Sequence, residues 1–91
     1  MEFEWDEEKA QVNKGKHEVR FEEAIEVFED EFAAVIVDED HSDDEDRYII
    51  LGQSKRGRLL VVVHTYREPN IRLISARAAT KHERRDYEEE R

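Results

Sequence analysis

Two adjacent basic side chains, Lys16 and His17, and three arginines, Arg47, Arg67 and Arg77, are the residues of this chain best suited to chemistry. A cation beside an imidazole disfavours its protonated form, and a neutral imidazole is a base. Taken singly, His17 and His64 suit packing or surface positions as well as chemistry. Arginine forks fit carboxylates as well as phosphates, so the three arginines read either as an anion site or as partners of the chain's own acids. Alternation along strands sorts them further. With short turns at Ser54-Lys55-Arg56-Gly57 and Glu68-Pro69-Asn70, Arg47 lies across from Thr65, and Arg67, Ser75 and Arg77 share that face while His64 takes the other. A bulge or a one-residue slip would reverse part of this assignment.

Other chemistries lack local support. The acidic stretch Asp38 to Asp46 starts like an EF-hand loop, but its sixth position is Asp43 where a glycine is needed, and its twelfth is Ile49 where a bidentate glutamate is needed. It is expected to be a solvated, metal-free connection. There is no cysteine, hence no thiolate cluster or cysteine nucleophile, and no HExxH, Walker, GxGxxG or GxSxG motif occurs. No metal or cofactor is expected.

The charge of the chain is divided. It carries 25 acidic and 15 basic side chains over 91 residues, a net charge of -10. Residues 1–46 hold 19 acids against 4 bases, whereas residues 47–85 hold 10 bases against only Glu68 and Glu83. Charges farther apart than a Debye length of about 8 Å are largely screened, so an acidic protein with a basic half still offers a local anion site. Its length allows one domain, residues 1–91, with one core. The longest apolar run, Leu59 to Val63, is far short of the roughly 20 residues of a membrane span, and Met1-Glu2-Phe3-Glu4 lacks a signal-like pattern. These features predict a cytoplasmic protein with no membrane partner.

The elements that must position the basic residues follow from periodicity. Asp6 with Glu7-Glu8 is a helix N-cap with acids in the first turn, and Lys9, Asn13, Lys16 and His17 then fall on one side of a helix running to about Lys16. Phe21, Ala24, Ile25 and Phe28 predict a second short helix. Phe32 to Val37, Tyr48 to Leu51, Leu59 to Thr65 and Ile71 to Ala76 read as four strands, the last three an antiparallel meander. Thr80-Lys81-His82-Glu83 is a capping box opening a charged C-terminal helix, with Arg84, Tyr87 and Arg91 roughly on one side. The expected fold is α+β: two N-terminal helices, a four-stranded, mainly antiparallel sheet and a C-terminal helix.

Many of these residues occur in the order seen in one family. Trp5-Asp6, Lys9, Asn13, Lys16-His17, Phe21-Glu22, Ala24, Phe28, His41-Ser42, Glu45, Arg47, Gly52, Ser54, Gly57-Arg58-Leu59-Leu60-Val61-Val62-Val63, Thr65, Arg67, Ile71-Arg72, Ile74-Ser75-Ala76-Arg77, Thr80, Glu83-Arg84 and Tyr87 together resemble the BrnT toxins of bacterial type II toxin-antitoxin systems. The resemblance implies a RelE-like fold and a metal-independent ribonuclease activity that blocks translation. It also implies neutralisation by a BrnA-type ribbon-helix-helix antitoxin, through which alone operator DNA would be bound. Its working positions fall here on Lys16, His17, Arg47, Arg58, Arg67 and Arg77. Where that family usually has glycine after its Lys-His pair, this chain has Glu18, and its acidity contrasts with the commonly basic RelE-like ribonucleases.

With no metal ligand or acyl nucleophile, the chemistry open to these residues is attack of an RNA 2′-hydroxyl on its own phosphate. His17, or Lys16 if its pKa is depressed, would take the proton; Arg77 with Arg47 or Arg67 would stabilise the phosphorane oxygens. Arg58, Arg84 and Arg85 would hold flanking phosphates. The alternative is a non-catalytic module that binds a basic protein through its acidic half or nucleic acid through its basic strip.

Overall fold

Asp6 opens the first helix of the computed structural model, which describes residues 2–38 and 46–89. Its carboxylate accepts from the backbone N–H groups of Glu8 (2.9 Å) and Lys9 (3.2 Å), and α1 (Glu7–His17) then runs with acids in its first turn and Lys14, Lys16 and His17 in its last. Both ends therefore complement the helix dipole. The helix stops at Glu18, whose backbone is left-handed (φ 58°) while its N–H donates to the Lys14 carbonyl. A glycine is the usual occupant of such a position, because a Cβ there crowds the following carbonyl.

The segment after Val19 departs from the expected helix. Only Phe21–Ala24 (α2) is α-helical; Ile25–Glu29 tightens into a 3₁₀ turn. The 3₁₀ turn rests on the sheet at Gly52, where a Cβ would meet the Val27 carbonyl at 3.0 Å and the Val27 and Ala33 side chains at 3.1 Å. Phe21, Ala24 and Val27 are still buried, so the apolar spacing that predicts a second helix is satisfied by a shorter, tighter one.

The sheet has five strands rather than the four expected. In chain order these are β1 (Glu2–Glu4), β2 (Ala34–Asp38), β3 (Arg47–Gln53), β4 (Leu59–Arg67) and β5 (Asn70–Ala78), and their spatial order is β1-β5-β4-β3-β2. β1 is parallel to β5, pairing Phe3 with Ile71, and all other pairings are antiparallel. The sheet is therefore mixed. The β3-β4 turn places Gly57 at φ 87° and is closed by bonds from Gly57 N–H to the Ser54 carbonyl and from Ser54 N–H to the Arg58 carbonyl.

Strand alternation gives the sheet two unlike faces. On one, Ile50, Leu60, Val62, Ile71, Leu73 and Ala76 form the main core with Ala10, Val19, Phe21, Ala24 and Val27 of the N-terminal elements. On the other, α3 (Lys81–Glu89) covers only one end, where buried Tyr87 lies beside Leu51 and Val61. The Thr80 box forms as expected: Glu83 N–H donates to Thr80 Oγ1 (3.1 Å) and Thr80 N–H to the Glu83 carboxylate (2.8 Å). Residues 39–45 of the acidic connection, and Arg91, lie outside the described residues. No helix among the described residues is long and apolar enough to cross a membrane.

The left-handed Glu18 gives a direct test. Glu18→Gly removes the Cβ conflict and leaves the Glu18 carbonyl, a hydrogen-bond acceptor for Arg58, in place. The variant should be more stable by about 1 kcal/mol, a rise in Tm of about 4–8 °C in thermal unfolding. A lower Tm would contradict the conformational account.

Candidate functional site

Lys16 and His17 line a groove of about 340 Å³ between α1 and β5, shared with Lys9, Asn13, Ile74 and Ser75. The groove exists because β1 pairs with β5 only as far as Arg72, leaving the rest of that strand edge for α1. Asn13 takes the place of a neighbouring strand. Its buried carboxamide donates from Nδ2 to the Ala76 carbonyl (2.9 Å) and accepts at Oδ1 from the Ala76 N–H (3.0 Å), while Nδ2 also donates to the Val19 carbonyl (3.1 Å). Lys16 and His17 follow Asn13 by three and four residues, on the same side of the helix, and so stand over the β5 edge.

A bulge sets which β5 side chains face the open side of the sheet. Val63 pairs with Ser75 but His64 pairs with Leu73, so Ile74 is the extra residue. Ser75 and Arg77 consequently share a face with Val61 and Val63, and beyond the bulge Arg72 joins the same face beside Thr65. Arg47 precedes Tyr48, the partner of His64, and is half-buried; Arg67 is exposed at the end of β4. Arg47, Arg67 and Arg77 thus share one face, and Arg72, which alternation alone assigns elsewhere, is a fourth. His64 takes the opposite face. It is fully buried against Phe28, Tyr48 and Tyr66, with ring centroids 4.9–6.0 Å away, and its Nδ1 lies 3.3 Å from the Val62 carbonyl. Burial pushes its pKa down, so His64 is a neutral packing residue away from the groove.

Several arginines are held by carboxylates. Arg77 forms a two-pronged pair with Glu83 (2.8 and 2.9 Å) and donates to the Ala78 carbonyl (3.2 Å). Its hydrogen bonds are the largest cause holding the Glu83 carboxyl down to about 2. Arg58 forks onto Glu23 (2.6 and 3.0 Å) and reaches the Glu18 carbonyl, Ser54 Oγ adds a bond to Glu23, and Glu23 is held below the usual carboxylate range mainly by Arg58. Arg58 lines a separate groove with Lys14, Arg20 and Arg56 that shares no residue with the Lys16-His17 groove. Arg72 pairs with Glu4 (2.8 Å). Arg84 and Arg85 are exposed on α3. Among the described residues no three His, Asp or Glu side chains cluster as metal ligands.

The groove therefore combines an imidazole, two lysine amines, the Glu8 carboxyl and a hydroxyl at the border of a face carrying four guanidiniums. A general base, a proton donor and cations are what phosphoryl transfer without a metal requires. The burial of Asn13 and the arginine-holding roles of Glu4, Glu23 and Glu83 are not legible from the sequence. Of the three carboxylates, only Glu83 has a local signal, its place in the capping box.

A family model described as the ribonuclease toxin BrnT of type II toxin-antitoxin systems matches residues 5–83. The crystal structure of the Brucella abortus ribonuclease toxin BrnT has the same fold, with a TM-score of 0.68 and 24% sequence identity over 89% of this chain and 99% of that one. A comparison with curated protein sequences finds no match.

The Arg77-Glu83 pair predicts a pH effect. A carboxyl lowered from 4.5 to about 2 adds stability above its unfolded pKa, and that contribution is lost as pH falls from about 4.5 toward 2. Because Arg77 is half-exposed, screening limits the contribution to the order of 1 kcal/mol. Glu83→Gln should lower Tm at pH 7 and flatten the fall of Tm with acidification relative to wild type. Parallel Tm profiles for the two proteins would contradict the pair's role.

Proposed function

Because this chain belongs to the BrnT family of ribonuclease toxins of type II toxin-antitoxin systems, with RNA as target and an antitoxin as partner, we propose that its cleavage centre is the groove between α1 and β5. The observation that carries this is the shared groove of Lys16, His17 and Ser75, two residues from Arg77 on the open face. His17 or Lys16 accepts the proton of an RNA 2′-hydroxyl. The 2′-oxygen forms a bond to its own phosphorus, the bond from phosphorus to the 5′-oxygen breaks, and the departing oxygen takes a proton from the other member of the pair. The products are a 2′,3′-cyclic phosphate and a 5′-hydroxyl. No metal or other cofactor enters any step.

The cations have different parts. Arg77, whose fork is already fixed by Glu83, presents its remaining N–H groups to the phosphorane oxygens with little ordering left to do, and Arg47 or Arg67 adds charge farther along the face. Arg84 and Arg85 hold flanking phosphates from α3. Arg58, bound to Glu23 and the Glu18 carbonyl, contributes to RNA binding through the charge around the second groove. The toxin acts in the cytoplasm by stopping translation. A ribbon-helix-helix antitoxin of the BrnA type neutralises it and carries the operator-binding activity.

The test is cleavage of a short RNA in EDTA. Wild type should cleave and leave 2′,3′-cyclic phosphate ends, while His17→Ala and Lys16→Gln should each be slower by about 10²- to 10⁴-fold with little change in Tm. Strict dependence on Mg²⁺, or full activity of the double variant, would contradict the assignment.

A further inference from the structure

The outer edge of β2 is an open sheet edge among the described residues. β2 ends the sheet order, and among the described residues no strand pairs with its outer side. Its sequence is Ala-Val-Ile-Val-Asp, with Val35 49%, Ile36 62% and Val37 50% exposed. Edge strands are usually guarded by lysine, proline or a bulge, and this one has none of the three. Beside it, on the α3 side of the sheet, lies a groove of about 520 Å³. Its floor is apolar, including Phe32, Ile36, Ile49 and Leu51, and its helical wall carries His82, Asp86 and Glu89, with Glu83 already paired to Arg77.

We propose that the β2 edge and this groove dock an extended segment of the antitoxin with alternating apolar and basic side chains, which joins the sheet as a further strand. An outer edge that no described strand covers suits an added strand, and the groove accepts the apolar side chains of its one face. The acidic wall selects the charge. Asp86 and Glu89 repel phosphates, so RNA is a poor occupant of the groove. A second copy of this chain is disfavoured for the same reason: each copy carries a net charge of -10, and Glu31 and the run from Asp38 to Asp46 flank the strand in sequence. A basic partner strand meets neither objection. That the partner is the antitoxin rests on the toxin reading above; the geometry and charge of the surface do not.

The test uses full-length toxin and its cognate antitoxin, each purified, with binding measured by calorimetry. Ile36→Lys places a cation at the centre of the edge and should weaken antitoxin binding by about 100-fold or more. Glu88→Gln, which makes the same charge change on α3 outside the groove, should stay within about threefold. Hydrogen exchange on wild type supplies a second readout: the amides among residues 34–37 that do not already bond to β3 should gain protection in the complex. Antitoxin binding by Ile36→Lys within threefold of wild type, or a complex that leaves those amides unprotected, overturns the proposal. So does wild-type toxin that sediments as a dimer when Ile36→Lys is monomeric, since the edge would then belong to a second copy. Free toxin that fails to cleave RNA yet docks through β2 would instead break the ribonuclease assignment and leave the docking site standing.

Discussion

The buried carboxamide of Asn13 is the contact on which the rest of the site depends. It is an edge partner made from a side chain: β1 serves the first three residues of β5, and Asn13 takes up Ala76 after the Ile74 bulge. Its bond to the Val19 carbonyl also fixes the chain where it leaves α1. Leaving any one of these buried groups unpaired would cost about 1–3 kcal/mol, so sliding α1 along β5 is strongly disfavoured. The helix that carries Lys16 and His17 is thereby locked to the strand that carries Ser75 and Arg77. A single residue thus ties together the two walls of the groove.

Charge is arranged on the same principle of local pairing. A net charge of -10 conceals three arginines that are each seated on a carboxylate, with Glu83 on Arg77, Glu23 on Arg58 and Glu4 on Arg72. Such forks lose little freedom when an anion arrives, because their geometry is already set. The remaining acids are distributed elsewhere, including the wall beside β2. Under the proposed function, RNA meets the guanidiniums and the antitoxin meets the groove beside β2, two neighbouring parts of one sheet face.

Much of this was legible in the sequence, and the failures have physical causes. The Asp6 cap, the Thr80 box and the β-branched runs of β3, β4 and β5 are local signals, and the structure contains each. β1 escaped because Glu2-Phe3-Glu4 is too short to show a period and its parallel pairing links residues far apart in the chain, Phe3 with Ile71. The bulge at Ile74 carries no glycine or proline to announce it, yet it brings Arg72 onto the site face. The Lys16-His17 stripe was visible from helical spacing, whereas the burial of Asn13 within that stripe depends on where β1 ends. Arginine partners were ambiguous by nature, since the same fork suits a phosphate and a glutamate.

The most direct measurement is single-turnover RNA cleavage by Asn13→Ala, normalised to folded protein, together with hydrogen exchange at the Ala76 amide. Lys16, His17 and Arg77 are all retained in this variant. The account predicts that Ala76 loses protection and that cleavage per folded molecule falls by at least about tenfold, because the base no longer stands over the strand. Cleavage at the wild-type rate from a variant whose Ala76 amide exchanges freely would show that the α1-β5 junction does not set the chemistry.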